Sequence, residues 1–355
     1  MLSEKSTNEI SIADIKIGPR HPVFTIAEVG LAHDGSLGAA HAYIDAAADT
    51  GVSSIKFQTH VAEAESTMHE PFRVNVFPQD KTRYEYWVRT GFTLEEWREL
   101  ADHARERGLV FLSSAFSFEA VDMLLECGVS AWKVASGEVS NLPLIRYMAQ
   151  TGLPVLLSSG MSPWGELDQV VGLLKEEGAQ YAIFQCTTAY PCPPETWGLN
   201  VIGEMQARYR CPVGLSDHSG TIVPAIAAAV LGASLMEFHV TFHRRMFGPD
   251  VPASLTFEET AELVRSLSNL RAALSNPVDK DAQAHSFGEL RNIFTKSVVP
   301  SISLDKGTIL VREQLALKKP GTGIPAAEMD SVIGKRLKRD VERDELLTWG
   351  DLENS

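Results

Sequence analysis

Short apolar runs recur along the first 240 residues, at 23–29, 54–58, 109–113, 131–135, 155–158, 181–185, 213–215 and 235–240. They are continuous rather than alternating, as expected of parallel strands covered on both faces. Between them lie Ala-rich or amphipathic stretches, such as 38–49, 94–100 and 164–177, which predict helices. Eight strand–helix units in about 250 residues is the count and size of a (β/α)8 TIM barrel. A doubly wound sheet has fewer strands and carries GxGxxG after the first, whereas residues 29–35 have the wrong spacing. Residues 10–17 alternate apolar and polar positions, so residues 1–20 are expected to form a hairpin capping the bottom of a barrel over 21–276. The pattern changes after Leu274. A polar stretch with Pro277 predicts a linker over 277–290. Short strands and turn signals at 304–307 and 319–323 then predict a small β-rich domain over 291–355, below the usual independent size.

Composition narrows the function. The chain of 355 residues is 44% hydrophobic, which excludes a disordered or collagen-like protein. Its net charge of −14 argues against a nucleic-acid surface and against docking on anionic lipid. No run approaches the ~20 apolar residues of a membrane span. The first nine residues are polar and mixed in charge, unlike a secretory leader. The four cysteines (Cys127, Cys186, Cys192, Cys211) show no CxxC spacing, which fits reduced thiols. A cytoplasmic protein is expected.

Barrel chemistry sits at the C-terminal ends of the strands, and here every such end is polar. In order they offer Glu28; Lys56 and Gln58; Ser113 and Ser114; Lys133 with Ser136 and Glu138; Ser158 and Ser159; Gln185 with Thr187, Thr188 and Tyr190; Ser216, Asp217 and His218; and Glu237 with His239. His218 and His239 on adjacent strands suit a borderline divalent metal. Lys56 and Lys133 lie within apolar strands, where an unpaired ammonium is costly. A phosphorylated or carboxylated substrate would neutralise them; the alternative is an internal ion pair with Glu28 or Glu138. The Ser136-Gly137 and Ser158-Ser159-Gly160 turns can present hydroxyls and N–H groups to phosphate at the helix N-termini that follow.

Taken together these segments resemble the N-acetylneuraminate (sialic acid) synthase family. The resemblance rests on Ile26-Ala27-Glu28-Val29-Gly30 with His33 and Gly35, Lys56-Phe57-Gln58, Lys133 through Glu138, Asn141-Leu142-Pro143-Leu144 and Ser158-Ser159-Gly160-Met161. It continues through Cys186-Thr187-Thr188 with Tyr190-Pro191, Gly214 through His218, and Gly248-Pro249-Asp250. The C-terminal part is similar to the family's antifreeze-like (SAF) domain, with the Lys319-Pro320-Gly321 turn and Gly334-Lys335. Within the family it resembles more the divergent members connected with spore-coat polysaccharide biosynthesis.

The resemblance implies a TIM barrel with a SAF domain, a domain-swapped homodimer, and a place in surface polysaccharide biosynthesis. It implies condensation of phosphoenolpyruvate with an open-chain aldose, N-acetylmannosamine or a related sugar, to give a 2-keto-3-deoxy sugar acid and phosphate. His218 and His239 would ligate Mn2+ or Mg2+. Lys56, Ser114, Lys133, Ser136, Ser158 and Ser216 would hold phosphoenolpyruvate, and Glu28 would act as acid or base. Gln58, Glu138, Tyr190, Asp250 and Lys319 would contact the sugar. Lys319 stands where the family has an arginine, which it resembles in charge but not in its planar fork of donors. The expected acceptor is therefore an aldose without a strict N-acyl requirement. Two other readings compete. A Schiff-base TIM-barrel aldolase would want a lysine on a late strand, and residues 181–185 have none. A non-catalytic sugar- or ice-binding protein would have no need of two histidines and two lysines at one mouth.

Overall fold

The computed structural model describes residues 8–74 and 79–353. Residues 1–7 of the expected N-terminal cap, and 354–355 of the expected C-terminal domain, lie outside the described residues. A hairpin comes first, β1 (Ile10–Ile12) pairing antiparallel with β2 (Ile15–Ile17). Eight parallel strands follow: β3 (Phe24–Gly30), β4 (Ser54–Thr59), β5 (Val110–Ala115), β6 (Trp132–Val134), β7 (Val155–Ser158), β8 (Tyr181–Cys186), β9 (Val213–Asp217) and β10 (Leu235–Thr241). Each pairs with the next, and β10 pairs with both β9 and β3, so the sheet closes into a barrel. A two-residue strand, β11 (Leu255–Thr256), adds to the end of β10.

Side chains alternate between the two faces of each strand. One set, including Ala27, Ile55, Phe57, Phe111, Val134 and Leu157, packs on the surrounding helices. The other set points inward. Phe24, Ile26, Leu112, Leu156, Phe184 and Leu235 cluster there with Ile10, Ile12 and Ile17 of the hairpin, which plugs the lower end. Two residues further along the same inner rows stand Glu28, Ser114, Ser158 and Glu237. The barrel interior therefore changes from apolar to charged within one step of the pleat.

The helices carry ordinary start signals. Ser36 Oγ accepts from Ala39 N–H at 3.2 Å to open the helix Leu37–Thr50. A Thr93/Glu96 capping box opens Leu94–Glu106. One departure from the simple repeat matters. Between β4 and Leu94 the chain inserts short helices at Ala62–Glu65 and Arg83–Thr90. Ala62, Tyr86 and Trp87 form a small core there with Leu31, Phe72 and Tyr84. The insert has no long apolar period, so the hydrophobic pattern alone gave no element for it.

The chain divides into two compact units, the first ending at Ser275 and the second beginning at Asn276. In the stretch expected as a linker, helices form at Lys280–Ser286 and Gly288–Phe294. The second unit then builds a small antiparallel sheet from β12 (Ser297–Pro300) and β13 (Leu315–Lys318). Its own core includes Val298, Leu310, Ile324, Val332, Leu337 and Leu347. Lys319, just after β13, places its ammonium 5.1 Å from the centre of the Phe294 ring. All four cysteines are free and buried. Among the described residues no helix is long and apolar enough to cross a membrane.

Candidate functional site

Two ion pairs form the charged layer of the barrel. Lys56 Nζ lies 2.8 Å from Glu28 Oε2 and 3.3 Å from Ser114 Oγ. Lys133 Nζ lies 3.0 Å from Glu237 Oε1 and donates to Ser158 Oγ at 2.6 Å. Ser216 Oγ donates to the same Glu237 oxygen at 3.0 Å. All of these residues are 6% exposed or less, so charge compensation is obligatory. Both lysines thus have internal partners. For Lys133 the partner is Glu237, not Glu138: Glu138 sits on the short turn Ser136–Glu138 and accepts from Asn141 Nδ2 at 2.9 Å.

The two carboxylates are driven apart. Burial raises the Glu28 carboxyl above its ordinary range; Lys56 opposes this and Glu237 adds to it. Burial pushes Glu237 the same way, but Lys133 and Lys56 outweigh it and hold Glu237 below the usual carboxylate range. Unequal environments for neighbouring carboxyls are how proteins assign separate proton roles. Glu28 is the group suited to carry a proton and Glu237 the one suited to stay ionised. Gln58 Nε2 donates to Glu28 Oε1 at 3.0 Å.

Above this layer stand the imidazoles. The His218 and His239 ring centres are 5.4 Å apart, and both residues are buried. His218 Nδ1 lies 2.9 Å from the Thr187 carbonyl, which can only accept, so Nδ1 carries the hydrogen and Nε2 the lone pair. Tyr190 OH lies 2.9 Å from that Nε2. Burial, followed by the neighbouring His239, pushes His218 down to about 4, so it is a neutral ligand-type imidazole near pH 7. Among the described residues no three or more His, Cys, Asp or Glu side chains group as a metal site. The pair nevertheless fits a divalent ion whose remaining ligands are water and substrate, since catalytic metal sites keep open positions. A backbone acceptor that fixes the tautomer is also typical of ligating histidines.

A cleft of about 240 Å³ opens over the mouth. Of the residues proposed from sequence, Gln58, Ser136, Tyr190, His239 and Asp250 line it. Ser136 is brought close to the β7 turn: a side chain at Gly160 would run into Ser136 Oγ and Thr188 Oγ1. Glu138 does not line the cleft, and Lys319 belongs to the C-terminal unit. The expected helix N-termini are also absent from these turns. Ser136 opens only a three-residue turn, and the helix after Gly160 begins at Trp164. Phosphate recognition would therefore rest on the lysines and hydroxyls.

Sequence reasoning passed over Arg73, His60 and Glu237 as site residues. Arg73 Nη2 lies 2.5 Å from Asp250 Oδ1, and its guanidinium sits 4.3 Å from the Tyr190 ring centre. Nothing in the pattern marks Arg73. Glu237 was legible, because it lies two residues before His239 on the same inner row of β10.

His33, in the turn after β3, gives a measurable pH dependence. Its Nδ1 accepts from Gly35 N–H at 3.2 Å and its ring stacks on Phe92 at 4.7 Å. Burial, then the neighbouring His60, pushes it down to about 4. The unfolded chain, with an ordinary value of about 6.5, therefore binds this proton first. Stability is full above that value and falls as the pH drops toward 4, by about 2 kcal/mol at pH 5. Urea unfolding at pH 7 and pH 5 should show this loss in the parent to be about 2 kcal/mol larger than in His33→Asn. Equal losses in the two proteins would refute it.

Residues 43–279 match the NeuB family and residues 295–353 match the SAF domain. The chain is 31% identical over 328 residues to N,N'-diacetyllegionaminic acid synthase of Campylobacter jejuni, covering 91% of this chain and 98% of that protein. It is 33% identical over 337 residues to N-acetylneuraminate-9-phosphate synthase of Homo sapiens, covering 93% of each. Among solved structures, the N-acetylneuraminic acid (sialic acid) synthetase of Leptospira borgpetersenii serovar Hardjo-bovis in complex with citrate superposes with a TM-score of 0.71 at 30% identity. That match covers 81% of this chain and 98% of the other.

Proposed function

The chain belongs to the NeuB family, and from that premise we propose that it condenses phosphoenolpyruvate with an open-chain aldose. The products are a 2-keto-3-deoxy sugar acid of the nonulosonic type and phosphate. The observation that carries this reading is the pair of buried lysines, each beside serine hydroxyls, directly under two imidazoles at the mouth of the barrel. A lysine ammonium has three donors. Lys56 and Lys133 each direct two of them at a carboxylate and a serine and have a third for an anion. Lys56, Lys133, Ser114, Ser136, Ser158 and Ser216 would hold the phosphate and carboxylate of phosphoenolpyruvate. Gln58, Tyr190 and Asp250 would orient the aldose in the cleft.

His218 and His239 would hold a divalent ion, Mn2+ or Mg2+, which when bound supplies Lewis-acid polarisation of the aldehyde oxygen. The nucleophile is C3 of phosphoenolpyruvate, which bonds to the aldehyde carbon. Water then adds at C2, and phosphate leaves with cleavage of the C–O bond. Glu28, whose carboxyl burial raises above its ordinary range, would exchange the proton involved in the water addition. The Schiff-base alternative is disfavoured because Lys133 is tied to Glu237 and Ser158, whereas a nucleophilic lysine must be a free neutral amine. By resemblance, the C-terminal unit would complete a partner's site in a homodimer through Lys319.

A panel of aldoses with and without N-acyl groups should identify the acceptor. The readout is phosphate release from phosphoenolpyruvate with Mn2+ or Mg2+ present. Release is expected with at least one aldose, without a strict N-acyl requirement. No release with any aldose would overturn the condensing reaction, and an absolute requirement for the N-acyl group would overturn the acceptor assignment alone.

A further inference from the structure

His60 has no part in the scheme above, yet it lines the same cleft as Ser136, Tyr190 and His239. Its ring is stacked between Trp87 and Phe116, with ring centres 3.8 and 4.3 Å away and planes within 12° of parallel. Both faces are covered, so only an edge of the imidazole meets the cleft. Its Nδ1 lies 2.5 Å from Glu65 Oε1. An ionised carboxylate can only accept, so Nδ1 carries the hydrogen and Nε2 is left as a base. A histidine whose tautomer is fixed by a carboxylate is the usual construction of a general base.

What Nε2 faces is informative. It lies 3.5 Å from Gln58 Oε1, an acceptor, because Gln58 turns its Nε2–H toward Glu28. Two acceptors thus point at one another across a gap. A hydroxyl hydrogen from a bound ligand would satisfy them, and a sugar hydroxyl is the chemistry this cleft is proposed to receive.

We propose that His60, oriented by Glu65, is a general base that opens the ring of the acceptor sugar, giving the protein an aldose ring-opening activity ahead of condensation. The inference rests on the aldose-condensing reading. Aldoses in water are mostly cyclic hemiacetals, whereas the carbon to be attacked must be a free aldehyde. His60 Nε2 takes the proton of the anomeric hydroxyl. The O1–H electrons become the second C1–O1 bond, and the C1–O5 bond breaks. O5 leaves with the electron pair and takes a proton from water at the open side of the cleft. The imidazolium returns its proton to water, so the net change is an isomerisation with no oxidation or reduction. General-base assistance of this kind contributes roughly 100- to 10,000-fold.

The test follows anomer exchange of mannose and of N-acetylmannosamine by polarimetry and NMR, using the full chain without phosphoenolpyruvate. The expected result is exchange faster than in buffer, in proportion to protein concentration, for at least one sugar. His60→Phe keeps both ring stacks and should lose at least about tenfold of that acceleration. Glu65→Gln leaves the ring in place and should lose part of it, which decides the matter if His60→Phe does not fold. Calorimetric binding of phosphoenolpyruvate reports whether each variant is folded. No acceleration with either sugar, or acceleration unchanged in both variants, would overturn the proposal. Phosphate release without accelerated anomer exchange would overturn this inference and leave the condensing reading standing. Failure of phosphate release with every aldose would overturn that reading instead.

Discussion

Lys133→Met is expected to weaken phosphoenolpyruvate binding by roughly 30-fold to several thousand-fold, the about 2–5 kcal/mol lost when one partner of a buried charged contact is removed. Lys133 is 3% exposed and touches both Glu237 and Ser158. Its removal also leaves Glu237 as a buried charge, whose other oxygen has no hydrogen-bond partner among the described residues. A stability loss of about 3–5 kcal/mol should accompany the binding loss. Lys133→Met combined with Glu237→Gln separates the effects, since removing both charges relieves the strain on folding and still removes the anion's partner. Calorimetric titration with phosphoenolpyruvate, beside urea unfolding of the same proteins, reads both. A folded double variant that binds phosphoenolpyruvate as tightly as the parent would show that the lysine serves only the internal ion pair.

The second large effect is expected at the imidazoles. His218→Ala and His239→Ala should each lower turnover by at least about 100-fold. Each should also abolish stoichiometric Mn2+ binding, measured by equilibrium dialysis without substrate. Chelation followed by dialysis should silence the parent, and added Mn2+ or Mg2+ should restore it. The reason lies in the donor set. His218 presents its Nε2 lone pair because Thr187 holds Nδ1–H, and its own burial keeps it neutral. Alanine leaves no substitute ligand, because among the described residues no third His, Cys, Asp or Glu joins them. Full turnover after exhaustive chelation would remove the metal from the mechanism.

The fold was legible because its signals are local. A continuous apolar run followed by an amphipathic stretch predicts a covered parallel strand and its helix wherever it occurs, and eight repeats of that unit allow few arrangements other than a closed barrel. The observed strands fall within a residue or two of the apolar runs, as at Val155–Ser158 and Leu235–Thr241. The candidate chemistry was legible for a related reason. A lysine in an apolar strand or a histidine at a strand end conflicts with its surroundings, and such conflicts are visible without knowing what resolves them.

What resolves them was decided in three dimensions. That Lys133 pairs with Glu237 rather than with nearby Glu138 follows from closure of the barrel, which brings strands a hundred residues apart to face one axis. The opposite shifts of Glu28 and Glu237 depend on how two lysines divide themselves between two carboxylates, which composition does not contain. Arg73, His60 and Glu65 come from an insert with little periodicity, and they meet the site only because that insert folds over the mouth. Periodicity determines which residues must be buried. Which buried charges meet is determined by contacts between distant segments, because a partner is chosen by position in space and leaves no mark on the local pattern.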